Sequence, residues 1–491
     1  MIWNWAGTLS EAVAAFLLAP FLVRMLGETD YGLWILLGSL ASYMGLVDFG
    51  VRGSVGRYVA FYRSRGDSAR VRDVLRSGFM LTSAGGAVVM LLAIGADRWF
   101  MQLFDIPLEA VPTLRLTLWL VLLNLALALP LSLFDAVLWG AERFDRLNQI
   151  GIPTAFLRLA VSYWVVQNGF GLVGLATGAL LLTLAVGAAK LVAAFRVEPA
   201  AFARGPGGST QMARTLMQYG LPLLVINVSR MTRLQLVPAA VGWALGAASV
   251  AHYSLSRRLV DYAEGFLVSL TGVVTPTFAL LQARGSVEQQ QALYTTGGRF
   301  STALGLLFAG FALVLGGPFL SLWLGSKWGG FAPLMWTLAL GEVLPFSQSI
   351  TGNMLLGVAR HRVLAGLLVA EVATIAVGAV TVSNTYGLLG VCIVLAVTGT
   401  VFRGVLVMIQ GCRVVGMPVA RYVLTAVAPP CAVCGLAALG LKGLAAAVPP
   451  ETWLRFIVNL AGYGVMSVTA LGVLGGRDLV QAIRARVFKA T

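Results

Sequence analysis

Charged and amide side chains stand inside long apolar stretches of this sequence, where an ionisable group is costly and points by default to function. Arg230 and Arg233 lie three residues apart near the middle of one such stretch, and Asn227 lies three residues before them. All three share one face of a helix, and no acidic residue shares their stretch. Arginine cannot escape burial by losing its proton. We therefore predict a cationic cavity for a phosphate-bearing ligand, with an ion pair between Glu11 and Arg230 as the alternative.

Further ionisable residues in apolar stretches fall into two sets. The arginines predicted to join the cationic cavity are Arg24, Arg52 and Arg158. Anchoring at the membrane surface suits Arg24 equally well, and a structural ion pair with Asp48, four residues earlier, suits Arg52 equally well. The acids predicted to serve in ion coupling or in balancing the arginines are Glu11, Glu342, Glu371 and Asp135.

Two more arginines are expected to have structural roles. Arg257 and Asp261 are four residues apart, so they can neutralise each other along one helix. For Arg403 we expect a place near the cytoplasmic end of its helix, where the side chain would snorkel to the headgroups.

The composition indicates a protein whose outer surface meets lipid. Of the 491 residues, 58% are apolar and 11% are charged, whereas a soluble protein has roughly a quarter of its residues charged. The net charge of +15 would suggest nucleic acid in a soluble protein. Here the basic residues lie mostly in short loops, which indicates topology and contact with anionic lipid, and no nucleic acid is expected.

No enzyme signature, cofactor motif or metal-ligand spacing is present in the sequence. There is no Walker A sequence, and the lone Cys431-x-x-Cys434 pair favours packing rather than metal binding. The first residues lack a basic region, so we expect no cleaved signal peptide.

About fourteen stretches have the roughly 20 apolar residues that a spanning helix needs. Basic residues cluster after the second, sixth and tenth stretches and at the end of the chain, which predicts cytoplasmic N- and C-termini. The predicted spans are 3–26, 31–55, 75–96, 113–139, 150–167, 171–195, 216–238, 249–280, 299–321, 333–357, 363–383, 386–411, 422–444 and 453–474.

The two halves of the sequence resemble each other. Leu26-Gly27 recurs as Leu245-Gly246, Arg65-Gly66 recurs as Arg284-Gly285, and Asn168-x-x-Gly171 recurs as Asn384-x-x-Gly387, all in the same order. A repeat of six spans returns the chain to the same side of the membrane, which predicts parallel copies. The predicted organisation is an N-lobe at 1–195, a cytoplasmic linker at 196–215, a C-lobe at 216–412, and a helix pair with a basic tail at 413–491.

The segment PFLVRMLGETDYGLWILLGSLASYMGLVDFG, followed by RYVAFY, resembles the opening of bacterial polysaccharide transporters. These are Wzx-like oligosaccharide flippases of the multidrug/oligosaccharidyl-lipid/polysaccharide (MOP) exporter superfamily. The matching residues are Pro20, Arg24, Leu26, Gly27, Tyr31, Gly32, Trp34, Gly50 and Arg57, with Leu245, Gly246, Tyr253, Arg258, Leu259 and Pro276 in the second half.

The resemblance implies an all-α polytopic membrane protein with two six-helix lobes, which moves undecaprenyl-diphosphate-linked oligosaccharides from the inner to the outer leaflet. The family often carries an acidic residue near the position of Arg233. The arginine found here puts an inherited ion-coupling scheme in doubt and favours anion binding.

We therefore predict a flippase of the bacterial inner membrane, with no cofactor and no metal. Its expected partners are the lipid-linked oligosaccharide, membrane lipids, and a glycan polymerase and glycosyltransferases of the same biosynthesis. The alternatives are a cation-coupled multidrug exporter of the same superfamily, a flippase for the peptidoglycan lipid precursor, and, less favoured, a membrane glycan polymerase.

Overall fold

A computed structural model describes residues 2–48, 50–104, 109–203, 207–271, 274–357 and 361–475, and every regular element in these ranges is helical. An apolar chain in lipid must satisfy its backbone hydrogen bonds within each segment, and a helix does so. The helices are α1 Ile2–Leu26, α2 Glu28–Met44, α3 Val51–Arg63, α4 Ser68–Leu103, α5 Val111–Gly140, α6 Phe144–Gln167, α7 Gly171–Val197, α8 Pro199–Phe202, α9 Thr210–Leu245, α10 Ala247–Thr271, α11 Thr275–Ala283, α12 Val287–Leu324, α13 Ala332–Ser347, α14 Ser349–Gly357, α15 His361–Gly399, α16 Val407–Val415, α17 Val419–Tyr422, α18 Ala428–Ala447 and α19 Trp453–Val473.

Helical structure is present in each of the predicted spans, which confirms the all-α membrane class. Among the described residues, eight helical segments have the length and apolar composition to cross a membrane. The number of fourteen spans stays a prediction. The eight segments are Ser68–Leu103, Val111–Gly140, Phe144–Gln167, Gly171–Val197, Val287–Leu324, Val363–Val415, Val419–Ala447 and Trp453–Val473.

The second predicted span is not one continuous helix. The chain leaves α-helical geometry in a 3-10 turn at Gly45–Asp48, and Gly50 then takes a left-handed conformation with φ of 72°. A β-carbon on Gly50 would lie 2.6 Å from the carbonyl oxygen of Gly220 on α9. Glycine is therefore required both for the backbone angle and for the close approach of α9.

Three pairs of glycines from the repeat adopt matching backbone conformations. Their φ values are 84° and 80° at Gly27 and Gly246, 69° and 65° at Gly66 and Gly285, and 55° and 58° at Gly171 and Gly387. Positive φ is open chiefly to glycine, so each pair marks the same turn in the two copies. The Gly387 turn is a kink inside α15, at the boundary predicted between spans eleven and twelve.

The described chain divides into two compact units, Met1–Ala251 and His252–Thr491. In the first unit, α5 packs against α3, α4 and α7, while α1 packs against α6. Helix α9, which opens the second predicted lobe, packs against α2, α3 and α4 of this unit. The predicted lobe boundaries at 195 and 215 stay a prediction.

Hydrogen bonds tie the segment before α9 to the start of α4. Oδ1 of Asp73 accepts from the backbone N–H groups of Gly208 and Ser209, both at 2.8 Å, and its Oδ2 accepts from the Ser209 hydroxyl at 2.9 Å. Ser209 in turn caps α9 by accepting from the Met212 N–H. The first turn of α9 is therefore fixed to α4.

In the second unit, the long helix α12 packs against α13, α18 and α19. The Tyr463 hydroxyl on α19 donates to the Leu307 carbonyl at 2.7 Å, which satisfies a polar group in a buried contact. The helix pair outside the repeat is thus packed on α12.

Candidate functional site

The first unit contains a cavity of about 650 Å³, lined by α1, α2, α3, α5, α6 and α7. Leucine, valine, alanine and glycine side chains form much of its wall, as expected inside a bundle of apolar helices. Helices α5, α6 and α7 add uncharged polar groups to this wall. These are Asn124, Ser132, Thr154, Ser162 and Thr183.

Four charged side chains line the cavity, and only one of them is acidic. Asp135 on α5 lies between two cations, with Lys190 Nζ 2.7 Å from its Oδ1 and Arg52 Nη2 3.7 Å from its Oδ2. The Lys190 and Asp135 side chains are 21% and 15% exposed, whereas Arg52 is 58% exposed. The Lys190–Asp135 pair is therefore short and shielded, and the Arg52 contact is long and screened by solvent.

Arg158 on α6 is the third cation of the cavity. Among the described side chains, none with a carboxylate lies within ion-pairing distance of Arg158. One carboxylate thus faces three cations, and the cavity carries an excess of positive charge. A cationic cavity with apolar walls attracts anions, because such walls focus the field of the charges.

Asn124 adds an unsatisfied acceptor to the wall. Its Oδ1 atom is buried and has no hydrogen-bond partner in the described structure. Buried polar atoms are nearly always hydrogen-bonded in proteins. A ligand with hydroxyl groups would supply the missing donor.

Small residues on α7 allow the helices around the cavity to approach closely. A β-carbon on Gly187 would lie 2.7 Å from Leu131 Cδ1 on α5, and one on Gly178 would lie 2.8 Å from Val161 Cγ1 on α6. Close approach at these glycines sets the positions of Asp135, Arg158 and Lys190 on neighbouring helices.

The predicted cationic residues are placed as follows. Arg52 and Arg158 line one cavity, together with the predicted acid Asp135. Arg24 is exposed in the last turn of α1 and is not part of the described lining.

The remaining predicted residues of the cationic set, and one of the predicted acids, are not described at the level of side chains. The side chains of Asn227, Arg230, Arg233 and Glu11 lie outside the described residues. Their roles in a cavity, and the ion pair between Glu11 and Arg230, stay predictions.

A buried charge network forms in the second unit around Glu342 on α13. Arg403 donates to both oxygens of Glu342 at 2.7 and 2.8 Å, and its Nε donates to Glu371 Oε1 on α15 at 2.8 Å. Arg257 Nη2 on α10 donates to Glu342 Oε1 at 3.3 Å. Each guanidinium group is held by more than one carboxylate, since Arg257 also contacts Asp261 at 2.9 Å.

The snorkelling role predicted for Arg403 is wrong. The Arg403 side chain is 16% exposed, and its partners Glu342 and Glu371 are 4% and 1% exposed. Arg403 lies in a π-helical turn, Thr400–Leu406, that joins α15 to α16. The pairing of Arg257 with Asp261 is confirmed, although both belong to a larger network than the sequence indicated.

The two groups of charged residues differ in what they can do chemically. In the second unit the guanidinium groups are engaged by buried carboxylates, which is the geometry of charge balance for Glu342 and Glu371. Ion coupling by these acids stays a prediction. In the first unit the cations outnumber the carboxylate, so this cavity can bind an anion.

Lys190 is a cavity-lining residue that sequence reasoning missed. It is a lone lysine inside the apolar run of α7, and the rule that identified Arg158 applies to it equally. Its position near the end of α7 resembles that of a snorkelling anchor, but the structure directs it to Asp135.

The all-helical fold is that of transporters of the MOP superfamily. The lipid II flippase MurJ, in an inward closed conformation, is similar with a TM-score of 0.71 at 12% identity, over 98% of this chain and 99% of MurJ. An inward-facing multidrug resistance transporter of the MATE family is similar with a TM-score of 0.66 at 16% identity, over 82% of this chain and 98% of that transporter. At these identities the likeness establishes the fold.

The chain belongs to the polysaccharide biosynthesis protein family, whose profile matches residues 21–333. The resemblance predicted from the opening segment is thereby confirmed. The uncharacterized membrane protein EpsK of Bacillus subtilis (strain 168) is 22% identical over 352 residues. That match covers 66% of this chain and 66% of EpsK, so the chain spans just under two thirds of this relative.

Proposed function

We propose that this protein is a flippase that carries an undecaprenyl-diphosphate-linked oligosaccharide from the inner to the outer leaflet by alternating access. The product would supply a surface polysaccharide such as O-antigen, capsule or exopolysaccharide. The observation that carries the proposal is the excess of cations in the first-unit cavity. A diphosphate has the complementary charge, and the hydroxyl groups of a glycan suit the serine, threonine and asparagine lining.

Each predicted residue is proposed to have one of three roles. Arg52 and Arg158 bind the diphosphate in the cavity, while the lipid tail stays in the bilayer. Arg24, Arg230, Arg233 and Asn227 extend this cationic surface, and Glu11 balances it. Glu342 and Glu371 hold the second-unit arginines in place.

The proposed location is the inner membrane of a bacterium, with both termini in the cytoplasm. Membership in the polysaccharide biosynthesis family supports partners that make and consume the same glycan, namely glycosyltransferases and a polymerase.

The rival functions make different predictions about the cavity or the cell. A cation-coupled multidrug exporter needs an acidic cavity, whereas the described cavity is cationic. A peptidoglycan-precursor flippase would share the diphosphate site, but its loss would stop growth rather than remove one surface glycan. A membrane glycan polymerase needs a sizeable outer loop with catalytic residues, and the connections between described helices are short.

The proposal is tested in a host whose own copy of the gene is deleted. We expect deletion to abolish surface polysaccharide and to accumulate its lipid-linked intermediate inside the cell, and the wild-type gene to reverse both effects. The double substitution Arg52→Gln and Arg158→Gln should fail to restore export at equal protein level, because it removes two of the three cations.

The control is Arg115→Gln, which removes a cation whose Nε lies 3.0 Å from Asp97, outside the cavity lining. Export at the wild-type level should persist in this control. Unchanged surface polysaccharide in the deletion strain would refute the function, and full export by the double variant would refute the cavity assignment.

A further inference from the structure

The cavity of the first unit contains an internal anion, Asp135, at the centre of its cations. We infer that Lys190 is a ligand of the substrate phosphate, and that the phosphate takes the place of Asp135 beside this lysine on binding. The inference rests on the proposed function, because a phosphate-bearing substrate is assumed.

Lys190 and Asp135 form a close ion pair in the cavity wall. Lys190 Nζ lies 2.7 Å from Asp135 Oδ1, and both side chains line the cavity while remaining mostly shielded. A lysine in an apolar helix needs a counter-charge, and Asp135 supplies it when no ligand is present. The pair therefore fixes the position of the ammonium group at the cavity wall.

A phosphate oxygen can replace the carboxylate oxygen of Asp135 beside these cations. Both are anionic acceptors that form short, charge-assisted hydrogen bonds with ammonium and guanidinium groups. Arg52 contacts the same carboxylate at 3.7 Å, and Arg158 has no described carboxylate partner. A diphosphate carries more negative charge than one aspartate, so three cations favour it over Asp135.

The cavity wall offers different groups at its two ends. Asn124 and Asp135 lie on the same face of α5, eleven residues apart, which corresponds to roughly 16 Å along the helix. The unsatisfied Asn124 Oδ1 at one end suits a hydroxyl donor, and the cations at the other end suit a phosphate. The cavity thus fits a ligand with an anionic part and a neutral, hydroxylated part.

The experiment measures binding of farnesyl diphosphate to the full-length protein in lipid nanodiscs by calorimetry, with farnesol as the uncharged probe. Lys190→Gln should weaken binding by roughly tenfold or more, the loss expected for one charge-assisted hydrogen bond. Lys190→Arg should restore most of it. Asp135→Asn should tighten binding severalfold, because it removes the competing anion.

Two controls separate these effects from misfolding. Arg115→Gln removes a cation outside the cavity, so it should bind as the wild type does. The double variant with Asp135→Asn and Lys190→Gln leaves neither member of the pair as an unpaired charge, so it avoids the cost of a buried lone charge. It should bind the diphosphate more weakly than Asp135→Asn alone, because it lacks the lysine.

Weaker or unchanged binding by Asp135→Asn would overturn the exchange, and wild-type binding by Lys190→Gln would overturn the ligand role. Absence of farnesyl diphosphate binding by the wild-type protein, or equal binding of farnesol, would overturn the phosphate site itself. None of these outcomes alters the export measured in the deletion strain, so failure of the inference is distinguishable from failure of the proposed function.

Discussion

Arg403 illustrates how a buried charge is stabilised at the scale of single residues. Glu342 accepts from both terminal nitrogens of the guanidinium group, and Glu371 accepts from its Nε. Such fork-shaped pairing satisfies donors and acceptors together, which is the condition for keeping ions in a low-dielectric interior. Removing one member leaves the others uncompensated.

We predict that Arg403→Met lowers the free energy of unfolding by about 3–5 kcal/mol, the cost of breaking a buried ion pair. Adding Glu371→Gln to this variant should recover part of the loss, since one unpaired carboxylate is then neutral. Denaturant titration in a constant detergent measures both changes. The exposed ion pair of Arg115 and Asp97 offers the control. Arg115→Met should lower the free energy of unfolding by no more than about 1 kcal/mol. Equal losses at Arg403 and Arg115 would contradict a buried network.

Several charged residues of the cavity could be identified from the sequence, but the residues that surround them could not. Arg52, Arg158 and Asp135 were predicted as functional because ionisable groups in apolar runs are rare, and the structure brings them to one cavity. The surroundings of Arg403 were mispredicted because the position of a residue along its helix does not reveal which helices face it. Lys190 was overlooked because its position near the end of α7 resembles that of a snorkelling anchor, although the rule that identified Arg158 applies to it.

At the scale of elements, close contacts between helices depend on glycine. Helix α4 crosses α5 where a β-carbon on Gly86 would lie 2.5 Å from the carbonyl oxygen of Ala126. The opposing atom belongs to the backbone and cannot rotate away. Small residues at such crossings allow apolar helices to pack without a hydrophobic driving force between them.

Gly86→Ala should therefore destabilise the protein by about 1–3 kcal/mol, the usual cost of overpacking. Gly95→Ala on the same helix is the matched control, because nothing lies within 4 Å of the added carbon. Unfolding midpoints of the two variants in one detergent give the comparison. A Gly86→Ala protein as stable as the control would show that α4 and α5 are not in this contact.

The ends of helices could be predicted where a repeated glycine coincides with a break in the apolar sequence. The kink at Gly387 falls where the sequence divides two spans, because a glycine with positive φ ends helical geometry. The break at Gly45–Gly50 was missed, since the run 31–55 is mainly apolar and the close approach of Gly220 on α9 is not visible in the sequence. Hydropathy alone does not report such tertiary contacts.

At the scale of the whole molecule, the internal repeat and the distribution of charges are the features that support a transport function. The matched glycine conformations at three places support two copies of one helical plan. Carboxylates engage the buried arginines of the second unit, whereas the exposed Arg52 and Arg158 leave the first-unit cavity with an excess of cations. The sequence predicted cations in the membrane, but their division between pairing and binding required the positions of neighbouring helices.

The central claim is that the first-unit cations carry an anionic lipid-linked oligosaccharide across the membrane. Its most direct measurement is movement of a fluorescent undecaprenyl-diphosphate oligosaccharide between leaflets of liposomes containing the purified protein, detected by a quencher that cannot cross the bilayer. We predict rapid movement with the wild-type protein and with Arg115→Gln, and movement at the protein-free rate with Arg52→Gln and Arg158→Gln combined. Movement by the double variant at the wild-type rate would contradict the claim.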